Sequence, residues 1–236
     1  MASPCSSTSN APLRCKCVET RTTHKGSTFI FKEKEVKIDT YNTNTQCVLS
    51  DGKDMYMVSK SGHDTNFDAG LSYVIKNFVL NFRNGRKNLL VGPQTLIFRT
   101  APLDLPEEAE TAAREALYPL SQQVTGEEKD LFSRPGFFTL QGKIKTVRRV
   151  RMTRSQIPIR DISIMCGQHI LDVSLWRDEA VTNHNEGDEV ELTHLHTSIQ
   201  ANGRGKFNSS HHTTVKVQNR ILKHISCLSR QVLCTS

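Results

Sequence analysis

The stretch His169-Ile-Leu-Asp-Val-Ser-Leu-Trp176 alternates strictly, with Leu171, Val173 and Leu175 on one face and Ile170, Asp172, Ser174 and Trp176 on the other. A period of two is the mark of a half-buried β-strand, and the leucine face must be the core face. A second β-rich run, 158–165, precedes it, and Cys166-Gly167-Gln168 between them reads as a hairpin turn. Upstream, 139–147 alternates after Gly142, with Lys143 and Lys145 opposite Ile144. The first half of the chain has the same texture. Runs 46–49 and 55–58 flank Ser50-Asp51-Gly52-Lys53, and Asp-Gly is among the strongest hairpin signals. Runs 72–82 and 87–99 flank Asn84-Gly85-Arg86. Short strands at this spacing predict small all-β barrels or sandwiches.

Asn-Gly-Arg occurs again at 202–204, and in each copy a threonine (Thr95 or Thr213) follows 10 residues after the glycine. A glycine, Gly70 or Gly187, leads each copy, and a hairpin stands upstream of each. This agreement in element order points to a duplicated domain. Five strands, a glycine hairpin between the second and third, and an irregular link between the third and fourth are the elements of the OB-fold, a five-stranded Greek-key barrel. The expected architecture is therefore all-β, with one OB-fold over 14–100 and another over 135–218. Residues 1–13 are expected to be disordered. Residues 101–134 are expected to form a connector with one short helix, since Pro106, Glu107, Glu108 and Glu110 suit a helix start and Pro119 with Gly126 an end. In the tail, 219–236, apolar residues at 221, 225, 228 and 232 fit a short amphipathic helix.

The chain has 236 residues, 31 basic and 24 acidic, for a net charge of +7. That charge is unevenly placed: +6 over 1–100, −6 over 101–130 and +7 over 131–236. Two basic blocks joined by an acidic segment favour an anionic partner. No stretch approaches the roughly 18 apolar residues of a spanning helix, so no membrane partner is expected. Seven scattered cysteines without a CxxC pair, behind a polar N-terminus, fit reduced thiols inside a cell. No metal or cofactor is expected. Cys15 and Cys17 lack a second pair, and His194, His196, His211 and His212 read as surface residues without matched ligands. No phosphate-binding glycine loop, nucleophile elbow or HExxH is present, so the chain is not expected to be an enzyme.

Several segments carry a resemblance. Phe138-Thr-Leu-Gln-Gly-Lys-Ile-Lys-Thr-Val147, Ile159-Arg-Asp-Ile-Ser-Ile164, Leu171-Asp-Val-Ser-Leu-Trp-Arg-Asp-Glu-Ala180 and Gly187-Asp-Glu-Val190 together resemble a DNA-binding OB domain of the replication protein A large subunit. The resemblance covers 138–218, is weak over 28–100 and is absent elsewhere. Arg177 stands where that family usually carries glycine, a departure that bears on the turn. The resemblance implies single-stranded DNA as partner, protein partners of the replication protein A type, a nuclear location, a role in DNA replication, repair or recombination, and base stacking by Trp176.

The residues themselves supply candidates. An indole on the outer face of a strand is a stacking platform, and stacking contributes on the order of 1–3 kcal/mol per base. The plain alternative for Trp176 is burial by a loop or by the other domain. Lys143, Lys145, Arg148, Arg149, Arg151 and Arg154 form a run with no acid among them, on the link that borders an OB groove. Such a run is also what a solvated surface looks like. Arg204, Lys206 and Phe207 decorate the last hairpin, where Phe207 either stacks on a base or packs on its own hairpin. In the first block the counterparts are Lys53 and Tyr56, then Arg83, Arg86 and Lys87. Tyr56 is expected outward because two flexible methionines, Met55 and Met57, fill a core more readily than one phenol. Phe29, Phe31, Phe78 and Phe98 are expected in the core. The reading is a tandem OB-fold protein binding single-stranded nucleic acid. An OB-fold protein-interaction module and an RNA-binding protein stay open beside it.

Overall fold

The computed structural model describes residues 6–219 apart from 10, 34, 63–65 and 84; the expected tail helix beyond 219 lies outside the described residues. The first half runs β1 (Ser6–Ser9), β2 (Leu13–Lys32), β3 (Glu35–Ser50), β4 (Met55–Ser61), β5 (Ser72–Lys76), β6 (Phe78–Arg83), β7 (Arg86–Leu90), β8 (Leu96–Arg99) and helix α1 (Glu107–Leu117). The second runs β9 (Ser121–Val124), β10 (Phe137–Val147), β11 (Arg151–Met152), β12 (Pro158–Cys166), β13 (His169–Trp176), the single turn α2 (Asp178–Val181), β14 (Glu189–Ile199), β15 (Gly205–Asn208) and β16 (Thr214–Asn219).

Alternating apolar residues close each half into a barrel. In the second, β10 pairs with β12, β12 with β13, β13 in parallel with β15, β15 with β14, and β14 returns to β10. The inward residues include Leu140, Ile144, Ile164, Val173, Leu175, Leu192 and Phe207. The first half closes the same way. β2 pairs with β3 and β3 with β4; β4 runs parallel to β7, β7 pairs with β6, and β5 returns to β2. Its core holds Cys15, Cys17, Cys47, Leu49, Tyr56, Ile75, Phe78 and Leu89. The third strand lying parallel to the fifth is what closes a five-stranded Greek key, so both barrels are OB-folds and the fold is all-β as expected.

The spacing of the repeat has a physical cause. In the fourth strand of each barrel one residue is left-handed, Asn77 at φ 56 and His194 at φ 54. One extra residue in a strand shifts its parity. The inward set accordingly steps from Ile75 to Phe78 in one copy and from Leu192 to Leu195 in the other. The carbonyl freed at the kink needs a donor. Thr95 Oγ1 donates to the Asn77 carbonyl at 3.1 Å, and Thr213 Oγ1 to that of His194 at 3.0 Å. The 10 residues from glycine to threonine are therefore the path around the last hairpin and back to this kink. Gly142 is explained too: a Cβ there would lie 2.2 Å from the Met165 carbonyl oxygen, where β10 bends between its two neighbours.

Three expectations are corrected. Ser6–Ser9 form a strand paired with β6, so the expected disordered segment 1–13 contains structure. The helix of the connector is present, and its Ala113 and Leu117 bury against Val18 and Val48 of the first barrel. Beyond it, however, Ser121–Val124 pair in parallel with β10, so the second half of 101–134 belongs to the second sheet. Phe29 and Phe78 are buried, whereas Phe31 and Phe98 are 69% and 51% exposed. A feature that the sequence reading did not anticipate is that β2 and β3 continue as a paired arm to Lys32 and Glu35. At 20 and 16 residues they outrun their counterparts β10 and β12, at 11 and 9, and the arm reaches the second barrel. Among the described residues no helix is long and apolar enough to cross a membrane.

Candidate functional site

The outer face of the second barrel is organised by one carboxylate. Asp161 on β12 stands opposite Ser174 on β13, whose hydroxyl donates to Oδ1 at 2.6 Å. Lys206 on β15 donates to the same oxygen at 2.6 Å, and Arg151 to Oδ2 at 3.3 Å. Burial alone would raise the Asp161 pKa. Hydrogen bonds from Lys206 and Ser174, together with the Lys206 charge and the Arg151 hydrogen bond, outweigh it and hold the carboxyl below its ordinary value. A folded-state pKa below the unfolded one adds stability that is present above the unfolded value, about 3.9, and is lost as pH falls toward the folded value. Asp161→Asn is therefore expected to be less stable than wild type at about pH 6, with the difference shrinking toward about pH 3. Urea midpoints at the two pH values measure this, and a difference that does not change with pH would contradict it.

Beside Asp161 lies a polar cavity of about 200 Å³, lined by Thr146, Arg148, Ser163, Asp172, Arg204 and Lys206. Three cations that are far apart in sequence, Arg148, Arg204 and Lys206, thus meet at one opening, between the link after the first strand and the last hairpin. Lys206 is preset by Asp161, while Arg148 and Arg204 are exposed. Such a surface offers charged donors to oxyanions.

The rest of the basic run disperses. Lys143 and Lys145 leave the core as expected and are exposed, but a register shift between Ile144 and Thr146 makes Thr146, not either lysine, a lining residue. Lys143 stands beside Glu189 and Gln218 instead. Arg149 faces the cleft between the arm and the second barrel, Arg151 is tied to Asp161, and Arg154 is exposed in a turn. The expected single wall is in fact dispersed over separate surfaces.

The aromatic residues are placed differently from the expectation. Leu171, Val173 and Leu175 are buried, as the alternation requires. Trp176 is partly buried; its indole N–H donates to Asn208 Oδ1 at 3.4 Å and its backbone N–H to Ser209 Oγ at 2.8 Å. Phe207, offered as a stacking ring, is 0% exposed and packs on Phe132 and Phe138. Lys206 and Phe207 are neighbours on a strand, so one outward lysine forces the other side chain inward. Tyr56 is also in a core, at 6% exposure. It pairs across the ladder with fully buried Leu49, and cross-strand partners share a face. Its hydroxyl, which would otherwise forbid burial, donates to Asp51 at 3.0 Å. Met55 is the outward residue, at 38%. His212, read as surface, is 7% exposed; its Nδ1 accepts from Arg21. Burial, then His211 and Arg21, push its pKa down to about 3, so this ring is neutral.

In the first barrel Lys53, Arg86 and Lys87 surround a cleft of about 330 Å³ together with Met55 and Phe82. Lys87 pairs with Asp54 at 2.5 Å. Arg83 pairs with Arg86 through the backbone, and its side chain lies outside the described residues. Phe82, at 56% exposure, is a residue that the sequence did not single out. It shares parity with buried Phe78 but sits farther along β6, and parity alone does not show where a strand leaves its barrel.

No family model and no curated protein sequence matches the chain. Among solved structures it is similar to the Ifi202 HINa domain in complex with 20bp dsDNA, with 12% identity, TM-score 0.42, and 89% of this chain and 97% of that chain covered. It is also similar to the p204 HINb domain, with 12% identity, TM-score 0.43, and 89% and 98% covered. A replication protein A heterotrimer bound to ssDNA gives 10% identity, TM-score 0.41, and 90% and 49% covered. The OB-fold assignment itself rests on the strand order described above.

Proposed function

We propose that the chain is a binding protein for nucleic acid, which it holds chiefly by its phosphates at the polar cavity of the second barrel. The observation that carries this is the meeting of Arg148, Arg204 and Lys206 on the open face of a closed OB barrel, with Lys206 preset by Asp161. The Lys53–Arg86–Lys87 cleft of the first barrel is the second contact. With Tyr56 and Phe207 in the cores and Trp176 partly buried, stacking is secondary and phosphate contact leads. The resemblance of 138–218 to the replication protein A large subunit supports single-stranded DNA as the preferred form. A nuclear role in replication, repair or recombination rests on that resemblance as well.

Fluorescence anisotropy with labelled single-stranded DNA, single-stranded RNA and duplex, across a salt series, tests the reading. Log affinity for single strands is expected to fall linearly with log salt, with a slope of about −0.7 per phosphate neutralised. Trp176→Ala is expected to weaken binding by less than about tenfold, because one partly open indole gives at most the low end of a stacking contribution of about 1–3 kcal/mol. A larger, salt-independent loss would return stacking to the leading place. Absence of salt-sensitive binding to any of the three would overturn the proposal. It would favour a protein-binding role, for which β8 has its own feature: it is an edge strand that leaves Leu96 and Phe98 exposed.

A further inference from the structure

We infer that Arg177 and Asp178 are positioning residues that latch the β2–β3 arm of the first barrel onto the second and so hold the two binding faces in one fixed relation. Arg177, directly after Trp176, sits at φ 58 and ψ −124, a backbone conformation open to glycine and strained for a side chain. The side chain standing there is used. Its Nη2 donates to the Gly26 carbonyl at 2.9 Å, and its guanidinium lies 5.6 Å over the Phe29 ring. Asp178 takes the other side of the same residue, since the Gly26 N–H donates to both its carboxylate oxygens, at 3.0 and 2.9 Å. Two consecutive residues of one barrel thus grip both backbone polar groups of one residue in the other.

Gly26 is what permits the grip. A Cβ at that position would lie 2.8 Å from Asp178 Oδ1 and 3.0 Å from both Ile38 and Phe29. The flanking residues join in: Lys25 pairs with Glu179 at 2.6 Å, and the Glu179 side chain is only 10% exposed. Nearer the first barrel, Arg21 bonds to His212 of the second. The latch is therefore a row of bonds along one strand of the arm, running from Arg21 to Gly26.

Two sites on a loose tether reinforce each other only as far as their mutual freedom allows, whereas a fixed pair has no ordering to lose on binding. Affinity for a strand long enough to touch both faces then depends on the latch, and affinity for a short strand does not. This binding consequence rests on the nucleic-acid reading above; the latch itself does not.

The test compares wild type, Arg177→Gly, Arg177→Lys and Gly26→Ala by small-angle scattering and by anisotropy with a short and a long single-stranded oligonucleotide. Arg177→Gly relieves the strained turn, so thermal stability is expected to hold while the latch opens. Scattering is expected to show a larger radius of gyration for Arg177→Gly and Gly26→Ala. The long-oligonucleotide Kd is expected to rise about tenfold and the short one to stay within about twofold. Arg177→Lys, which keeps the cation but not the planar stack, is expected between the two. Unchanged scattering in both Arg177→Gly and Gly26→Ala overturns the latch. Expanded scattering with an unchanged long-strand Kd overturns the positioning role. If wild type binds neither oligonucleotide, the proposed function fails, and scattering alone still decides the latch.

Discussion

Phe207→Ala is expected to lower stability by about 3–5 kcal/mol, the cost of truncating a fully buried aromatic. Phe207 is 0% exposed and lies at the junction of β15 with β13 and β14, with its ring 5.2 Å from that of Phe132 and 6.2 Å from that of Phe138. The parallel pair β13–β15 closes the barrel, so a cavity at this point weakens the closure itself. In urea, where the slope is about 1–3 kcal/mol/M, the midpoint of the second barrel should fall by about 1 M or more. Phe207→Leu keeps most of the volume and should recover most of the stability. The alternative, an outward ring that stacks on a base, makes the opposite demand. In that case Phe207→Ala would keep the midpoint and lose oligonucleotide affinity.

Arg148→Glu combined with Arg204→Glu is expected to weaken oligonucleotide binding by about 100-fold at moderate salt. A hydrogen bond to a charged group contributes about 1.5–3 kcal/mol, and two are removed while two repulsions are introduced. Both residues are exposed at the rim of the cavity, so the urea midpoint should not move with them. The salt slope for a single strand should also flatten by about 0.7 for each phosphate that is no longer neutralised. Lys206 is the poorer choice for reversal because it would lose its 2.6 Å ion pair with Asp161 and set a second carboxylate on the same face, which would disturb the fold. Equal weakening by reversing Lys143 and Lys145, which lie outside the cavity, would mean that diffuse charge alone accounts for binding.

Much of the fold was legible because strand parity and turn chemistry are local. The Leu171–Val173–Leu175 face, the turns at Gly52, Gly85 and Gly167, and the helix after Pro106 all follow from neighbours within a few residues. The candidate site was legible only in part. Parity separates the two faces of a strand but does not say which face has a partner. Tyr56 was misplaced and Phe207 left open between two faces for that reason: Leu49 across the ladder settles the first, and Lys206 beside it the second. The basic run could not be divided from sequence either, because a one-residue bulge after Ile144 decides which side chain reaches the cavity.

The sequence by itself determined an all-β chain of two related barrels, since alternation, Asn-Gly-Arg hairpins and the glycine-to-threonine spacing are short-range properties that any fold must satisfy locally. Tertiary structure alone decided which charges act together. Arg148 and Lys206 meet only when β12, β13 and β15 lie side by side, and Asp161 matters only because it stands between Lys206 and Arg151. The reach of the arm to Arg177 and Asp178 belongs to the same class. An ion pair or a backbone grip between residues about 150 positions apart depends on a closed path through space, and no local pattern encodes where such a path closes.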